Sequence, residues 1–362
     1  MSTHNSRVLP REGFYVDPLA KAIRLTLLNP WITLGVLLSM GSGATIAQSP
    51  LLRSVYHSYL IETLFVAGTL MELNDFLTKR YHNNWISDQS WDWDSEIVLV
   101  TGGSSGIGSS VVQQLISRNR RTVIIVVDYV PLTFTPADDS HVRFYQCDLS
   151  QAEEVRSVCA RIKREVGDPT VLFNNAGLTR GATVMEGTYA DVEVTFRTNI
   201  IAPFLLLKEF LPAMVAKNHG HIVGTSSMSS IIPPAGLADY AATKSGLASL
   251  HEVIPSSSHI GDVRTAKSTN VVEPQALALE LKYKYNAPKI RISLFVLGFI
   301  KTPMFKGRTN QPRFLAPLLD VDTVGEKIVD VLWSGYGKNV YLPGLMRYIS
   351  CVVCPRVVRM RS

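Results

Sequence analysis

Apolar and polar positions along the chain fall into two regimes. From Leu25 to Leu52 no residue is charged, and residues 31–47 (WITLGVLLSMGSGATIA) are apolar or small throughout. Such a run is long enough to cross a bilayer as a helix. Pro30 and the glycines at 35, 41 and 43 loosen the helical pattern, so a buried hairpin is the competing reading. Residues 55–76 form a second apolar stretch, interrupted by His57, Glu62, Glu72 and Asp75. That mixture suits the return arm of a membrane hairpin or an interfacial helix.

Beyond a polar, Trp-rich junction at 82–94 the pattern changes to short β-branched runs alternating with helical periodicity. Strands are predicted at 97–100, 122–127, 142–147, 171–173, 221–225 and 290–296, with a helix over 109–117 and helical patterns between most of the rest. This alternation predicts an α/β fold, a doubly wound parallel sheet of the Rossmann type, preceded by an N-terminal membrane-associated helical segment. The expected divisions are a polar segment 1–24, an anchoring segment 25–81, a Rossmann domain 95–345 and a basic tail 346–362. The link from Asp128 to Val142 contains Pro131 and Pro136 and is too short for a full helix.

Composition sharpens this picture. A chain of 362 residues with 46% hydrophobic content can bury a large core, which excludes a disordered or fibrous protein. Its mean hydropathy of +0.13 reflects the apolar N-terminal region. Arg7, Arg11, Lys21 and Arg24 precede the first apolar run and Lys79 with Arg80 follows the second, so a two-pass hairpin would leave the main domain facing the cytosol. The net charge of +6 gathers partly in the tail, where Arg347, Arg356, Arg359 and Arg361 stand among apolar residues. An anionic membrane surface fits that tail; nucleic acid does not, because no binding motif accompanies the charge. Cys147, Cys159, Cys351 and Cys354 give no disulfide framework, and the lone pair Cys351 and Cys354 lacks the second pair or histidines that zinc needs, so no metal is expected.

The chemistry lies between residues 101 and 244. The run Thr101, Gly102, Gly103, Ser104, Ser105, Gly106, Ile107, Gly108 falls between a strand and a helix, where glycines permit a tight turn, close approach of a pyrophosphate and close helix packing. Asp128, ending the next strand, is placed to accept hydrogen bonds from the adenosine ribose and to repel a 2′-phosphate, which favours NAD(H) over NADP(H). A turn residue before Pro131 is its plainer reading. Tyr240 and Lys244 lie one helical turn apart and share a face. An ammonium beside a phenol favours the phenolate and suits it to general acid/base work, with Ser227 holding the substrate oxygen.

These motifs resemble the short-chain dehydrogenase/reductase family over about residues 95–345. The resemblance implies that the glycine run is the cofactor loop and that Asp148 sits by the adenine. It also implies that Asn174, Asn175, Ala176 and Gly177 support the sheet and the cofactor site. Asn199 matches the family's fourth catalytic residue beside Ser227, Tyr240 and Lys244, and Thr302 matches the threonine that contacts the nicotinamide carboxamide. Leu297 stands where a proline commonly precedes Gly298. The apolar N-terminus and Asp128 are most similar to the membrane-bound branch of retinol and 17β-hydroxysteroid dehydrogenases. That branch implies a lipophilic substrate, the endoplasmic reticulum or lipid droplets, a substrate segment over 304–318, and a homodimer interface that includes the catalytic helix.

One stretch breaks the pattern. Residues 253–275 contain Pro255, three consecutive serines, Gly261 and Pro274, poor company for the helix that Leu247 and Leu250 begin. Without them, Glu252 would join Ala276, and Leu277 and Leu281 would continue the apolar stripe in phase. A translated intron and a genuine surface insertion are the two readings. Two functions follow: a membrane-attached NAD(H) oxidoreductase for a lipophilic alcohol or carbonyl compound, or an inactive cofactor-binding scaffold of the same fold.

Overall fold

The computed structural model describes residues 10–41, 59–251, 276–302 and 313–348. The stretch 253–275, the pair Cys351 and Cys354, most of the basic tail and residues 303–312 of the substrate segment lie outside the described residues, as does 42–58.

Seven strands form one parallel sheet: β1 Ile97–Thr101, β2 Val123–Asp128, β3 His141–Gln146, β4 Val171–Asn174, β5 His221–Ser227, β6 Arg291–Leu297 and β7 Asn339–Leu342, in the order β3-β2-β1-β4-β5-β6-β7. The central strands read as continuous apolar runs because helices cover both faces. In β1, Leu99 enters one core layer while Val98 and Val100 enter the other. The first layer takes Val155 of α5 (Ala152–Glu165), Leu206 of α7 (Ala202–Lys217) and Leu247 of α8 (Ala238–His251). The second takes Val111 of α4 (Gly106–Arg118) and Val324 of α10 (Val321–Trp333). The expected doubly wound sheet is thus present, and the order reverses between β1 and β4, where such sheets open a ligand crevice.

Strand β7 has no sequence signal: it is short and only partly buried, and its pairing with β6 creates it. No helix fills 129–140, as the prolines require. Among the described residues α8 runs to His251, and α9 (Ala276–Leu279) follows with Leu277 and, just beyond it, Leu281 buried in the same layer as Leu247 and Leu250. The apolar stripe therefore does continue on both sides of the interruption.

Ahead of the sheet lie α1 (Val16–Leu25), α2 (Pro30–Gly41) and α3 (Leu60–His82). α1 and α2 together pass the length and hydropathy test for a membrane span, bent by 42°. α2 packs on α3, and Gly68 permits the close approach, since a Cβ there would lie 2.3 Å from the Leu28 carbonyl oxygen. Arg24 pairs with Asp75 across this hairpin. Its outer surface is apolar: Trp31, Leu38, Val66 and Leu70 are all more than half exposed. Residues 189–217 also satisfy the membrane-span test, but Leu206, Phe210 and Met214 place α7 in the core.

Residues 15–17 of the polar N-terminal segment are fastened to the main domain. Tyr15 is buried, the Val16 amide donates to the Phe314 carbonyl at 3.0 Å, and Asp17 accepts from the Gly344 amide at 2.6 Å. The junction is pinned as well, with Trp93 stacked on Trp333 at 4.0 Å between ring centroids.

Candidate active site

After β1 the chain turns at Gly102 with φ +64, and a Cβ there would lie 2.9 Å from the Ala176 Cα. At Gly108 a Cβ would meet the Gly102 carbonyl oxygen at 2.1 Å, so only glycine lets α4 pack this closely. Gly106 opens α4 with φ +56 and nothing nearer than the Thr302 methyl at 3.7 Å, leaving bare backbone towards a ligand. A helix start with exposed amides of this kind favours an anion.

Thr101 and Asn175 lock the ends of β1 and β4. The Thr101 hydroxyl accepts from the amides of Asn175 (3.0 Å) and Ala176 (3.1 Å), and Asn175 Nδ2 donates to the carbonyls of Thr101 (3.0 Å) and Gly102 (3.2 Å). Ser104 is buried, with its hydroxyl donating to the Val130 carbonyl at 2.8 Å; Ser105 is the exposed cap residue of α4 and Ile107 is half-buried.

On the other side of the crevice, Ser227 ends β5 and α8 carries Tyr240 and Lys244. Lys244 is buried, donates from Nζ to the Thr225 carbonyl at 2.8 Å, and lies 5.7 Å from the Tyr240 ring centroid. The Ser226 hydroxyl donates to the Lys244 carbonyl at 2.9 Å, fastening this turn of α8 to β5. Gly177 has its ideal Cβ position 3.1 Å from Lys244 Nζ and 3.5 Å from Asn199 Oδ1, so the turn after β4 brings backbone up to both groups. Asn199 is buried in a π-helical turn, Arg197–Ile201, where such irregularities often mark function. Its Oδ1 accepts from the Leu178 amide at 2.8 Å, and its Nδ2 donates to the Leu178 carbonyl at 2.9 Å and the Thr243 hydroxyl at 3.1 Å.

Burial pushes the Lys244 ammonium down to about 8. Burial also raises the Tyr240 hydroxyl, and the hydrogen bond with Ser227 offsets only part of that rise. The sequence led to the opposite expectation for Tyr240, that Lys244 would favour the phenolate. The difference lies in burial, which is the largest influence on the Tyr240 hydroxyl and raises it.

A family model for short chain dehydrogenases matches residues 96–274. The chain is 33% identical over 255 residues to Dehydrogenase RED2 of Cochliobolus heterostrophus, covering 70% of this chain and 87% of that one. The chain belongs to the short-chain dehydrogenase family. As a member it is an NAD(P)-dependent oxidoreductase acting on alcohol or ketone groups. The same dehydrogenase is 32% identical over 259 residues to epidermal retinol dehydrogenase 2 of Mus musculus, covering 70% of this chain and 76% of that one. It is also 32% identical over 253 residues to estradiol 17-beta-dehydrogenase 11 of Rattus norvegicus, covering 69% and 76%.

Asp128 in this dehydrogenase both steadies the loop and faces the crevice. Its Oδ2 accepts from the Ser104 amide at 2.9 Å and its Oδ1 from the Val130 amide at 3.2 Å, the local turn bond of its plainer reading. A carboxylate has about four acceptor positions, so two remain for ribose hydroxyls. Asp148 Oδ1 caps the Ser150 amide at 2.9 Å, and Thr302 stands beside Gly106 across the cofactor loop. Leu297 in place of proline leaves β6 intact, with the Gly298 amide donating to the Leu342 carbonyl at 2.7 Å.

The sequence pattern gave no notice of Thr225, Thr243 and Leu178, which hold Lys244 and Asn199 through backbone carbonyls, a backbone amide and one hydroxyl. Backbone groups carry no residue-type signal.

Proposed function

We propose that this dehydrogenase is membrane-attached and moves a hydride between NAD(H) and a lipophilic alcohol, ketone or aldehyde of retinoid, steroid or long-chain type. The observation that carries this reading is the meeting of Ser227, Tyr240, Lys244 and Asn199 opposite a glycine turn suited to a dinucleotide. The residues fit that cofactor: bare backbone at Gly106, a buried ammonium on Lys244 with one acceptor among the described residues, and Asp128 at the end of β2. Bound there, the nicotinamide ring supplies or accepts the hydride.

The chain's own residues do the rest. Ser227 and Tyr240 hydrogen-bond the substrate oxygen, and the Tyr240 hydroxyl gives its proton to the oxygen in reduction or takes it back in oxidation. Lys244 would hold the ribose hydroxyls of that cofactor, and its ammonium lowers the cost of charge on Tyr240 once that charge develops. Asn199, held at both its amide atoms, supports a proton path towards Lys244. Asp128 favours an unphosphorylated ribose, hence NAD(H). Names of relatives that include retinol and estradiol dehydrogenases support a lipophilic substrate. The exposed apolar hairpin α2–α3 supports membrane attachment, with the catalytic domain facing the cytosol at the endoplasmic reticulum or a lipid droplet.

The purified full chain, assayed in detergent with NADH and NADPH against retinaldehyde, oestrone and long-chain aldehydes, tests each part. Turnover of at least one with NADH preferred is expected, and Asp128→Ala shifts the preference towards NADPH. Undiminished turnover by Tyr240→Phe would remove the assigned mechanism.

A further inference from the structure

Seven residues beyond Lys244, on the same side of α8, His251 is fully buried at the end of the helix. Its Nδ1 lies 3.0 Å from the Leu247 carbonyl. A carbonyl can only accept, so Nδ1 carries the proton and Nε2 is an acceptor. The group facing Nε2 is the Asn174 amide, whose Nδ2 lies 3.5 Å away at the end of β4. The face of the imidazole rests on Gly224, the register partner of Asn174 on β5, where an added Cβ would lie 2.9 Å from the ring. Gly224 is therefore the one position in β5 shaped to admit this ring.

Besides the apolar packing of Leu247 and Leu250, two polar contacts tie α8 to the sheet. At one, Lys244 reaches the Thr225 carbonyl and Ser226 reaches the Lys244 carbonyl. At the other, two turns along, His251 sits over Gly224 and faces Asn174. Asn174 begins the turn that continues through Asn175, bonded to Thr101, to Gly177 beneath the Lys244 ammonium. One contact fixes how far α8 slides along β5, and two fix its rotation as well. Rotation decides where Tyr240 points.

We propose that His251 is a positioning residue: seated in the Gly224 notch and bonded to Asn174, it sets the register of α8 against β4 and β5 and so aims Tyr240 and Lys244. The proposal rests on the chemistry assigned above to Tyr240 and Lys244. It also gives the helix its own fastening at the last residue described before the interrupting stretch.

The test uses the full chain with NADH and whichever carbonyl substrate the wild type reduces. Gly224→Ala fills the notch and tilts the ring out. It is expected to lower kcat by about 10- to 100-fold, the scale of an ångström-sized misplacement, while KM for the carbonyl substrate stays within about twofold. In a His251→Ala background the same Gly224→Ala change is expected to cost less than about twofold, because the ring it displaces is gone. His251→Phe keeps the ring but loses both polar contacts, and His251→Gln, which donates and accepts, recovers most of the lost kcat. The acidic-to-alkaline midpoint of the kcat profile, set by Tyr240, moves in Gly224→Ala and returns in His251→Gln. Wild-type kcat in His251→Phe, or an equal loss from Gly224→Ala in both backgrounds, overturns the proposal. If His251→Phe is insoluble, the Gly224→Ala comparison still decides. Tyr240→Phe runs alongside: if it stays active, the underlying mechanism has failed instead.

Discussion

Arg11 grips Glu326 with both guanidinium arms, at 2.9 and 2.6 Å, across more than three hundred residues of sequence. The pair joins the N-terminal segment to α10, and Asp320 beside it has Oδ1 4.0 Å from Arg11 Nε. Glu12 takes the Asp320 amide at 2.9 Å and Phe14 meets Phe314 at 5.7 Å between ring centroids. Residues 11–16 are therefore coupled to residues 314–326. Arg11→Ala should cost only about 0.5–1 kcal/mol, since both partners are partly exposed. Tyr15→Ala should cost about 3 kcal/mol, because it removes a buried ring. Thermal unfolding of both variants checks this; equal losses would mean that the charge, and not the ring, fastens the segment.

His219 lies between Glu96 and Asp88, at 3.2 and 3.1 Å, just before the starts of β5 and β1. The hydrogen bond to Glu96, more than Asp88, raises the imidazole above its usual value of 6.5. A raised base stabilises the fold fully below its unfolded pKa and loses that contribution as pH climbs through the folded value. For Asp88, burial pushes up, but the bonds from Ser90 and His219 prevail and hold it low, so its share is lost at acid pH. The melting temperature of the wild type should therefore fall relative to His219→Gln as pH rises above 6.5. Parallel curves for the two proteins between pH 6 and 9 would show that the imidazole stays neutral.

Lys244 behaves in the opposite sense. Its ammonium is pushed down from 10.5 to about 8 by burial, so the charged form weakens the fold below pH 8, and this penalty fades between 8 and 10.5. Lys244→Met should abolish turnover and yet melt higher than the wild type at pH 7, with the gain shrinking towards pH 10. A lower melting point at pH 7 would mean that the bond to the Thr225 carbonyl outweighs the buried charge.

Two of the glycines in the cofactor loop, Gly106 and Gly108, should fail differently. Gly106→Ala has room but keeps φ +56, and a left-handed alanine costs about 1 kcal/mol, so the fold survives while NADH affinity drops. Gly108→Ala has no room against Gly102 and should unfold the loop with α4, at a cost of several kcal/mol in the range of core overpacking. Urea unfolding and NADH fluorescence titration separate the two; equal stability in both variants would contradict the close packing seen at Gly108.

The chain's linear order determined the sheet and most of its site by itself. Runs such as the one from Val98 to Val100 are apolar on both sides only when a sheet is covered twice, and the glycine turn, Ser227, Tyr240 and Lys244 each have a local residue-type signature. Leu277 and Leu281 announced their layer because helical phase survives an interruption. Tertiary structure alone decided the rest. β7 exists because β6 offers an edge to pair with. The Arg11–Glu326 clasp joins the N-terminal segment to α10. The rise at Tyr240 overrode the neighbouring lysine because burial is a property of the packed site, and His251 meets Gly224 only once α8 lies on β5. Periodicity is written along the chain; desolvation and contact between distant segments come into being only when the chain closes on itself.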